Sequence, residues 1–253
     1  MTDQPEEPDP WVAQYEFTSD RLNRLAGALG ARSYLEIGVH TGGTFARVRA
    51  AERTAVDPAF PFPVSDHEDE VTIFAEMASD EFFAGLPAGK TYDLVFIDGL
   101  HTFEQAYRDL CNSIVHSHPG TVFLLDDTLP SDVYSSLPDP EAAFAFRAAA
   151  GQDGSAAWHG DTFKVVFAVH DFHLALDYRT IVGAGNPQTL VWRSSSGRRP
   201  LLDSLEKISR LTYFDMINEF HVLRQSDEET AIAECLAALG SVPRPAPGQA
   251  PPA

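Results

Sequence analysis

The sequence is poor in cysteine, in basic residues and in long apolar runs, and each shortage excludes a class of protein. Its 253 residues include two cysteines, Cys111 and Cys235, which are too few for a disulfide framework and too far apart for a metal-binding pair. No run approaches the roughly 18 consecutive apolar residues of a membrane span. The first residues, MTDQPEEPDP, lack the basic and apolar regions of a signal peptide. We therefore expect a soluble, cytoplasmic protein.

The shortage of basic residues limits the partners. Lys and Arg number 18 against 37 Asp and Glu, which gives a net charge of -19. Such a surface repels nucleic acid and anionic membranes, because binding to phosphate requires positive charge. Small molecules and other proteins remain as partners, and a homo-oligomer stays open.

Proline-rich segments lie at both ends of the chain. Residues 1–10 are rich in proline and acids, and residues 242–253 are rich in proline, alanine and glycine. Neither segment has enough apolar residues to offset the entropy lost on ordering, so we expect two disordered tails. The whole chain is 44% hydrophobic, and residues 11–241 suffice for a single domain.

Between the tails, strand-like and helix-like segments alternate. Helices are expected over residues 43–51 and 140–150, and another from an N-cap at Thr18 or Ser19 to Leu29. A further helix is expected after His101, where Thr102 and Gln105 have the spacing of a capping box. The predicted strands are residues 33–38, 54–57, 71–76, 92–98, 121–126, 162–169 and 189–193. This order predicts an α/β fold, a doubly wound and mostly parallel seven-stranded sheet followed by C-terminal helices.

The alternation breaks after the fifth predicted strand. Residues 128–160 are rich in proline, serine and alanine and contain one helix-like stretch. We interpret them as an insertion that could cover a substrate site.

Glycines follow the first strand in YLEIGVHTGG, residues 34–43. Gly38, Gly42 and Gly43 lie where open α/β sheets bind ligands, beyond the carboxyl ends of the strands. Glycine allows the backbone to approach a ligand closely, although an ordinary tight turn is the alternative. A dinucleotide fingerprint would need glycine at His40, and a phosphate-binding loop would need a lysine. Neither pattern is present.

Polar residues also end the second and third predicted strands. Asp57 has two acceptor oxygens, which suit the hydroxyls of a ribose, although an Asp-Pro turn is the alternative. Ser79 and Asp80 follow the third strand, near where an adenine would lie, or they cap the next helix.

Three carboxylates end the fourth and fifth strands, in FIDGLH and LLDDTLP. Adjacent strands lie about 4.8 Å apart, so Asp98, Asp126 and Asp127 should converge. Like charges this close need protonation or a bridging cation, for which Mg²⁺ is the natural choice. In the alternative, Asp98 holds a cofactor ammonium group and no metal binds. His101 is a candidate general base, or only a residue at the start of a helix.

The E-x-G-x-x-x-G pattern resembles motif one of the class I S-adenosylmethionine-dependent methyltransferases. Together with AVDP, YDLVFIDGLHTFEQAYRDL and GTVFLLDDTLP, it resembles the family 24 type that includes macrocin and other sugar O-methyltransferases, over residues 30–130. The resemblance implies a Rossmann-like fold and methyl transfer to a small-molecule hydroxyl, of a sugar or a glycosylated natural product. It implies Mg²⁺ held by Asp98, Asp126 and Asp127, with His101 as base. The residues it implies for binding S-adenosylmethionine are Glu36, Gly38, Thr41, Gly42, Gly43, Thr44, Asp57, Ser79 and Asp98.

Two other functions remain open. One is a related fold with a different, hydroxylase-like reaction, and the other is a cofactor-binding protein without turnover. The later segment WHGDTFKVVF, residues 158–167, resembles part of relatives that have no assigned reaction. The only role that we assign there from the sequence is an ion pair between Asp161 and Lys164.

Overall fold

The structure is a computed structural model that describes residues 10–152, 157–183, 185–194 and 197–240, with side chains from residue 16 onward. The two predicted tails lie outside the described residues, apart from Pro10, which begins the first helix. Among the described residues, no helix is both long and apolar enough to cross a membrane.

Strands and helices alternate through the first half of these residues. The strands are β1 (Ser33–Ile37), β2 (Glu52–Asp57), β3 (Thr72–Glu76), β4 (Tyr92–Ile97), β5 (Ser117–Leu125), β6 (Leu176–Ile181), β7 (Gln188–Arg193) and β8 (Gln225–Ser226). The helices are α1 (Pro10–Leu29), α2 (Ser79–Gly85), α3 (Phe103–Val115), α4 (Pro140–Ala149), α5 (Phe163–Phe172), α6 (Leu205–Ser209), α7 (Tyr213–Asn218) and α8 (Glu228–Leu239).

All eight strands form one sheet, in the order β3-β2-β1-β4-β5-β7-β6-β8. Strands β1 to β5 pair in parallel, and β7 runs antiparallel to both of its neighbours. The prediction of a doubly wound, mostly parallel, Rossmann-like sheet is confirmed. The count of seven strands is wrong, because the two-residue β8 adds an eighth at the edge beside β6. A strand this short leaves no periodic pattern in the sequence.

The connection order reverses between β1 and β4, which is the position where such sheets bind ligands. Ile37 at the end of β1 pairs with Ile97 at the end of β4, and Ile97 pairs with Leu125 at the end of β5. The residues that follow these strand ends therefore lie side by side along one rim of the sheet.

The predicted strand over residues 162–169 is wrong. These residues form the N-terminal part of helix α5, in which every side chain from Phe163 to Val169 is buried. A continuous apolar run is compatible with a buried strand or with a helix enclosed on all sides, and its periodicity does not distinguish them. The missed strand is β6, in which the buried Tyr178 lies between the charged residues Asp177 and Arg179.

Helix α1 begins eight residues before Thr18, so neither predicted cap lies at its start. Thr18 and Ser19 are buried within the helix, and the Ser19 hydroxyl donates to the Glu16 carbonyl. The predicted helix over 43–51 is also wrong. Only a 3-10 turn forms, Phe45–Arg47, because the chain becomes extended at Val48 and buries that side chain against the core under α1.

Helix α3 has Thr102 at its N-cap as predicted, but the capping box is wrong because the Thr102 side chain makes no capping hydrogen bond. The first amide, of Phe103, instead donates to a carboxylate oxygen of Asp161 at 2.6 Å. A distant side chain therefore satisfies an orphan N–H group that the helix itself leaves open.

Helices cover both faces of the sheet. On one face, α1 and α8 pack through Leu22, Leu25 and Ile232, and on the other α3 and α5 pack through Leu110 and Phe167. The rim at the carboxyl ends of the strands carries the polar residues.

The region after β5 contains α4, close to the predicted helix over 140–150. Asp139 caps this helix by accepting from the amides of Glu141 and Ala142. Arg147 of α4 is buried and pairs with Asp132 at 2.8 Å. The Arg147–Asp132 pair therefore ties α4 to the loop that leaves β5.

Candidate active site at the carboxyl ends of the strands

The glycine loop begins where β1 and β4 press against each other. Gly38 has φ +82°, and a Cβ atom there would lie 2.0 Å from the carbonyl oxygen of Asp98. The Asp98 amide donates to the Ile37 carbonyl at 2.8 Å, which extends the ladder between the two strands. Only glycine allows this approach, because it has no Cβ and adopts positive φ without strain.

Asp57 connects the end of β2 to the glycine loop. One of its oxygens accepts from the amides of Val39 and His40, at 2.9 and 2.8 Å, and the other accepts from Ala59 at 3.0 Å. His40 takes the left-handed conformation, with φ +46°. A carboxylate has about four lone-pair positions, so Asp57 keeps acceptor capacity beside the loop.

The rest of the loop, residues 41–44, is partly buried. Thr44 is buried, and the Gly43 carbonyl accepts from Arg47 at 2.6 Å. Thr41 and Gly42 border a cavity of about 290 Å³. Its other walls are mainly aromatic and include Phe45, Phe62 and Phe74.

Ser79 is the first residue of α2 and is held against α3. Its hydroxyl donates to Asp109 at 2.6 Å and accepts from Gln105 at 3.1 Å. The second carboxylate oxygen of Asp109 is buried without a hydrogen-bond partner among the described residues. Burial raises the pKa of Asp109, while the bonds from Ser79 and Gln105 oppose that rise.

Carboxyl groups crowd the centre of the rim, where Glu36, Asp126 and Asp127 are buried and Asp98 is partly exposed. Burial raises the pKa of Glu36 well above its ordinary value, against the hydrogen bond from Tyr34, and the charges of Asp98 and Asp126 raise it further. Burial and the charge of Asp127 raise the pKa of Asp98 to about 6. Burial and both neighbouring aspartates also raise the pKa of Asp126. This set of donors suits positively charged groups, such as a sulfonium, an ammonium or a metal cation.

His101 lies between two of these carboxylates. Its Nδ1 is 3.0 Å from Asp127 and 3.2 Å from the Trp158 carbonyl, and its Nε2 is 3.5 Å from Asp98. A carbonyl only accepts, so Nδ1 carries a hydrogen and Nε2 is the nitrogen free to exchange a proton. Burial lowers the pKa of His101, but the charges of Asp127 and Asp98 overcome this effect and raise it to about 10. With no cation beside these carboxylates, the imidazole stays protonated at neutral pH.

Three residues have the arrangement of a metal site. Asp98, His101 and Asp127 each present one ligand atom, and the three atoms lie within 4.8 Å of one another. The carboxylate of Asp126 is turned away and accepts from Gln188 at 3.0 Å and from Asn186. Oxygen donors fit Mg²⁺, and a set that includes a histidine nitrogen also fits Mn²⁺.

The sequence of this rim matches a known family. Residues 35–128 fit the family model Methyltransf_24, described as "Methyltransferase domain". Residues 35–128 are therefore similar to a methyltransferase domain. The match confirms the predicted resemblance to the class I S-adenosylmethionine-dependent methyltransferases. No curated protein matches the sequence.

The fold of the chain also resembles solved structures. Cofactor-bound Rv0187 from MTB is 19% identical, with a TM-score of 0.50 over 75% of this chain and 92% of that one. An O-methyltransferase from Bacillus cereus in complex with SAH is 15% identical, with a TM-score of 0.48 over 74% and 82%. A putative O-methyltransferase from Klebsiella pneumoniae is 16% identical, with a TM-score of 0.46 over 75% and 92%.

Two residues outside the methyltransferase domain also reach its acidic rim. Asn186, in the β6–β7 turn, donates to Asp126 and, at 2.8 Å, to Asp127. His159 has Nε2 at 3.8 Å from Asp127, and its Nδ1 lies 2.7 Å from the Ser135 hydroxyl. Sequence reasoning missed both residues, because neither follows a strand end or has a partner at regular spacing. For Asn186, the Gly-Asn-Pro turn signal was the only clue.

Proposed function

We propose that the protein is an S-adenosylmethionine-dependent O-methyltransferase. In this proposal its acceptor is a small-molecule hydroxyl of a sugar or a glycosylated natural product, its metal is Mg²⁺, and its base is His101. The observation that carries the proposal is the convergence of Asp98, Asp127 and His101 at the strand ends that flank the glycine loop.

The cofactor would lie along the ends of β1, β2 and β4, and its sulfonium supplies an already activated methyl group. Asp57 has acceptor capacity left for ribose hydroxyls. Burial raises the pKa of both Glu36 and Asp98, so a methionine ammonium beside them would favour their charged forms and be held by them. The remaining contacts of the proposal come from the loop and from the start of α2, through Gly38, Thr41, Gly42, Gly43, Thr44 and Ser79.

Asp98 and Asp127 would hold the metal directly, and Asp126 would support them from behind through its hydrogen bonds with Asn186 and the Asp127 amide. A bound divalent cation polarises and orients the acceptor hydroxyl. With their charge balanced in this way, Asp98 and Asp127 would no longer keep His101 protonated. The combination therefore explains how a histidine with a pKa of about 10 in the metal-free site can act as a base.

The protein's own residues then align the acceptor and remove its proton. Nδ1–H of His101 remains bonded to the Trp158 carbonyl, and Nε2 accepts the proton of the acceptor hydroxyl. General base catalysis of this kind contributes about 10²- to 10⁴-fold in rate. Alignment of the two reactants contributes on the order of 7–11 kcal/mol.

The test combines binding with transfer. Thermal shift with S-adenosylhomocysteine, with and without Mg²⁺, reports both ligands. Mass spectrometry with isotope-labelled cofactor and a panel of glycosides reports methyl transfer. His101→Gln should lower kcat by about 10²- to 10⁴-fold while the thermal shift persists. His118→Gln is the matched control, because His118 also pairs with an aspartate, Asp93, at 2.8 Å and belongs to the opposite end of the sheet.

Four outcomes would contradict parts of the proposal. No thermal shift with S-adenosylhomocysteine would remove the cofactor. A shift and a transfer rate that do not respond to Mg²⁺ would remove the metal. Unchanged transfer in His101→Gln would remove the base, and binding without any transfer would leave a cofactor-binding protein.

A further inference from the structure

The segment Trp158–Asp161 lies outside the methyltransferase domain but contacts His101 directly. The Trp158 ring stacks on the imidazole, with ring centroids 5.0 Å apart and planes inclined by 23°. The backbone carbonyl of the same residue accepts from His101 Nδ1 at 3.2 Å. One residue therefore restrains both the plane of the imidazole and its rotation within that plane.

Gly160 fixes the backbone of His101. It has φ +62°, and a Cβ atom there would lie 1.6 Å from the His101 carbonyl oxygen. No other residue type could occupy this position without moving one of the two backbones. The close approach brings the segment into contact with the main chain of His101 as well as with its ring.

Asp161 fixes the helix that follows His101. Its two oxygens bind different partners: one accepts from the Phe103 amide at 2.6 Å, and the other pairs with Lys164 at 2.7 Å. Lys164 also donates to the Ser209 carbonyl at 2.8 Å. Both charged side chains are buried. A buried ion pair is weak evidence for stability, so its value here lies in the geometry that it imposes on the start of α3.

The segment Trp158–Asp161 is itself anchored to the loop between β5 and α4. The Trp158 indole donates to the Leu137 carbonyl at 2.6 Å, and His159 is bonded to the Ser135 hydroxyl at 2.7 Å. These two hydrogen bonds hold the segment in place against His101.

We propose that Trp158, Gly160, Asp161 and Lys164 form a positioning clamp for His101. This inference rests on the proposed function, in which His101 is the base. The clamp residues touch the base and its helix rather than the reacting atoms, so they act through His101. The clamp gives the segment after β5 a role in catalysis that is separate from any contact with the acceptor.

Tryptophan emission tests the clamp without requiring methyl transfer. The difference in emission between the protein and Trp158→Phe isolates Trp158 from Trp11 and Trp192. Because an imidazole stacked on an indole quenches its fluorescence, His101→Gln should increase this Trp158 emission, and His118→Gln should not. Unchanged Trp158 emission in His101→Gln would overturn the clamp, whether or not the protein transfers methyl groups.

Kinetics test the role in catalysis. Asp161→Asn removes the charge that pairs with Lys164 while keeping an acceptor for the Phe103 amide. We expect kcat to fall by about 100-fold, since small displacements of a catalytic group have effects of that size, with unchanged affinity for S-adenosylhomocysteine. Asp171→Asn is the matched control, because Asp171 also accepts backbone amides, from Leu201 and Leu202, but contacts no residue of the site.

The outcomes separate positioning from folding. A fall in kcat that is specific to Asp161→Asn supports the clamp, and so does a similar fall in Lys164→Met, in which the acceptor of the Phe103 amide is intact. Equal losses of kcat and of thermal stability in Asp161→Asn and Asp171→Asn would overturn it. Absence of methyl transfer in the unmodified protein would refute the proposed function, and the emission measurement would still decide the clamp.

Discussion

The two halves of the acidic rim are built in different ways. In the methyltransferase domain, residues 35–128, the polar side chains directly follow buried strands, and parallel pairing brings them together. In the chain that follows, Asn186 and Trp158 reach the same rim from loops that belong to no regular pattern. The first half is assembled by the topology of the sheet, and the second by individual tertiary contacts.

This difference predicts how each half responds to change. A substitution at a strand end disturbs the pairing of the sheet and should affect folding and cofactor binding together. A substitution in a loop of the second half should leave the sheet intact and affect the metal or the base. If substitutions in the two halves had equal effects on folding and on cofactor binding, this contrast would be wrong.

The largest effect is expected for Gly38→Ala. A Cβ atom there would lie 2.0 Å from the Asp98 carbonyl oxygen, so β1 and β4 would have to separate. We expect a loss of at least about 3 kcal/mol in the free energy of unfolding by urea and loss of S-adenosylhomocysteine binding. Gly89→Ala is the control: it has φ +88° but open space around the missing Cβ, so only about 1 kcal/mol of backbone strain applies. Equal losses in the two variants would contradict the argument.

The second effect concerns His101 and pH. The pKa of His101 is raised from 6.5 to about 10 by Asp127 and Asp98, against the effect of burial. The folded protein therefore holds a proton that the unfolded chain releases between these values. The stabilisation is complete below pH 6.5 and is lost as the pH rises through 10.

A pKa shift of this size corresponds to at most about 5 kcal/mol. Because the side chains of His101 and Asp98 are partly exposed and solvent screens their charges, we expect a loss on the order of 2 kcal/mol in the metal-free protein. Urea unfolding at several pH values would measure it. His101→Gln should flatten the curve over this window, and Asp127→Asn should flatten it partly, because it removes the charge that raises the pKa most. Parallel curves for the protein and His101→Gln would refute the assignment.

The fold of the first half was predictable because its signals are local. Apolar strands, glycines after β1 and aspartates after β4 and β5 each predict their own position, and the rule for parallel sheets brings them together. The second half was harder, because residues 163–169 are apolar on every side and fit a strand as well as the helix that forms. The edge strand β8, with two residues, had no pattern to predict.

The site shows the same division. The convergence of Asp98 and Asp127 agrees with the expectation from the strand ends, and the structure adds that His101 joins them. The orientation of the Asp126 carboxylate depends on Gln188 and Asn186, which lie about 60 residues later in the chain. No periodicity reports such a contact, so its prediction requires the fold.

The third effect tests a loop of the second half. Asn186→Ala removes the donor shared by Asp126 and Asp127. Because residues that orient metal ligands typically contribute about 10- to 100-fold to affinity, we expect calorimetry to show Mg²⁺ binding weakened by that amount. Asn23→Ala is the control, since the Asn23 side chain also makes two hydrogen bonds, with backbone groups of Arg47 and Arg49, but lies in α1 away from the acidic rim. Unchanged Mg²⁺ affinity in Asn186→Ala would show that the turn has no part in the metal site.

The smallest effect is expected for Thr102→Ala, at the start of α3. Thr102 is the N-cap, but its side chain makes no capping bond, and Asp161 accepts from the Phe103 amide instead. Thr102→Ala should therefore change the free energy of unfolding by less than about 0.5 kcal/mol. Asp139→Ala, at the N-cap of α4, removes two real capping bonds and should cost about 1 kcal/mol. If Thr102→Ala cost as much as Asp139→Ala in urea unfolding, the start of α3 would be held by its own sequence, and the second half of the chain would have no part in it.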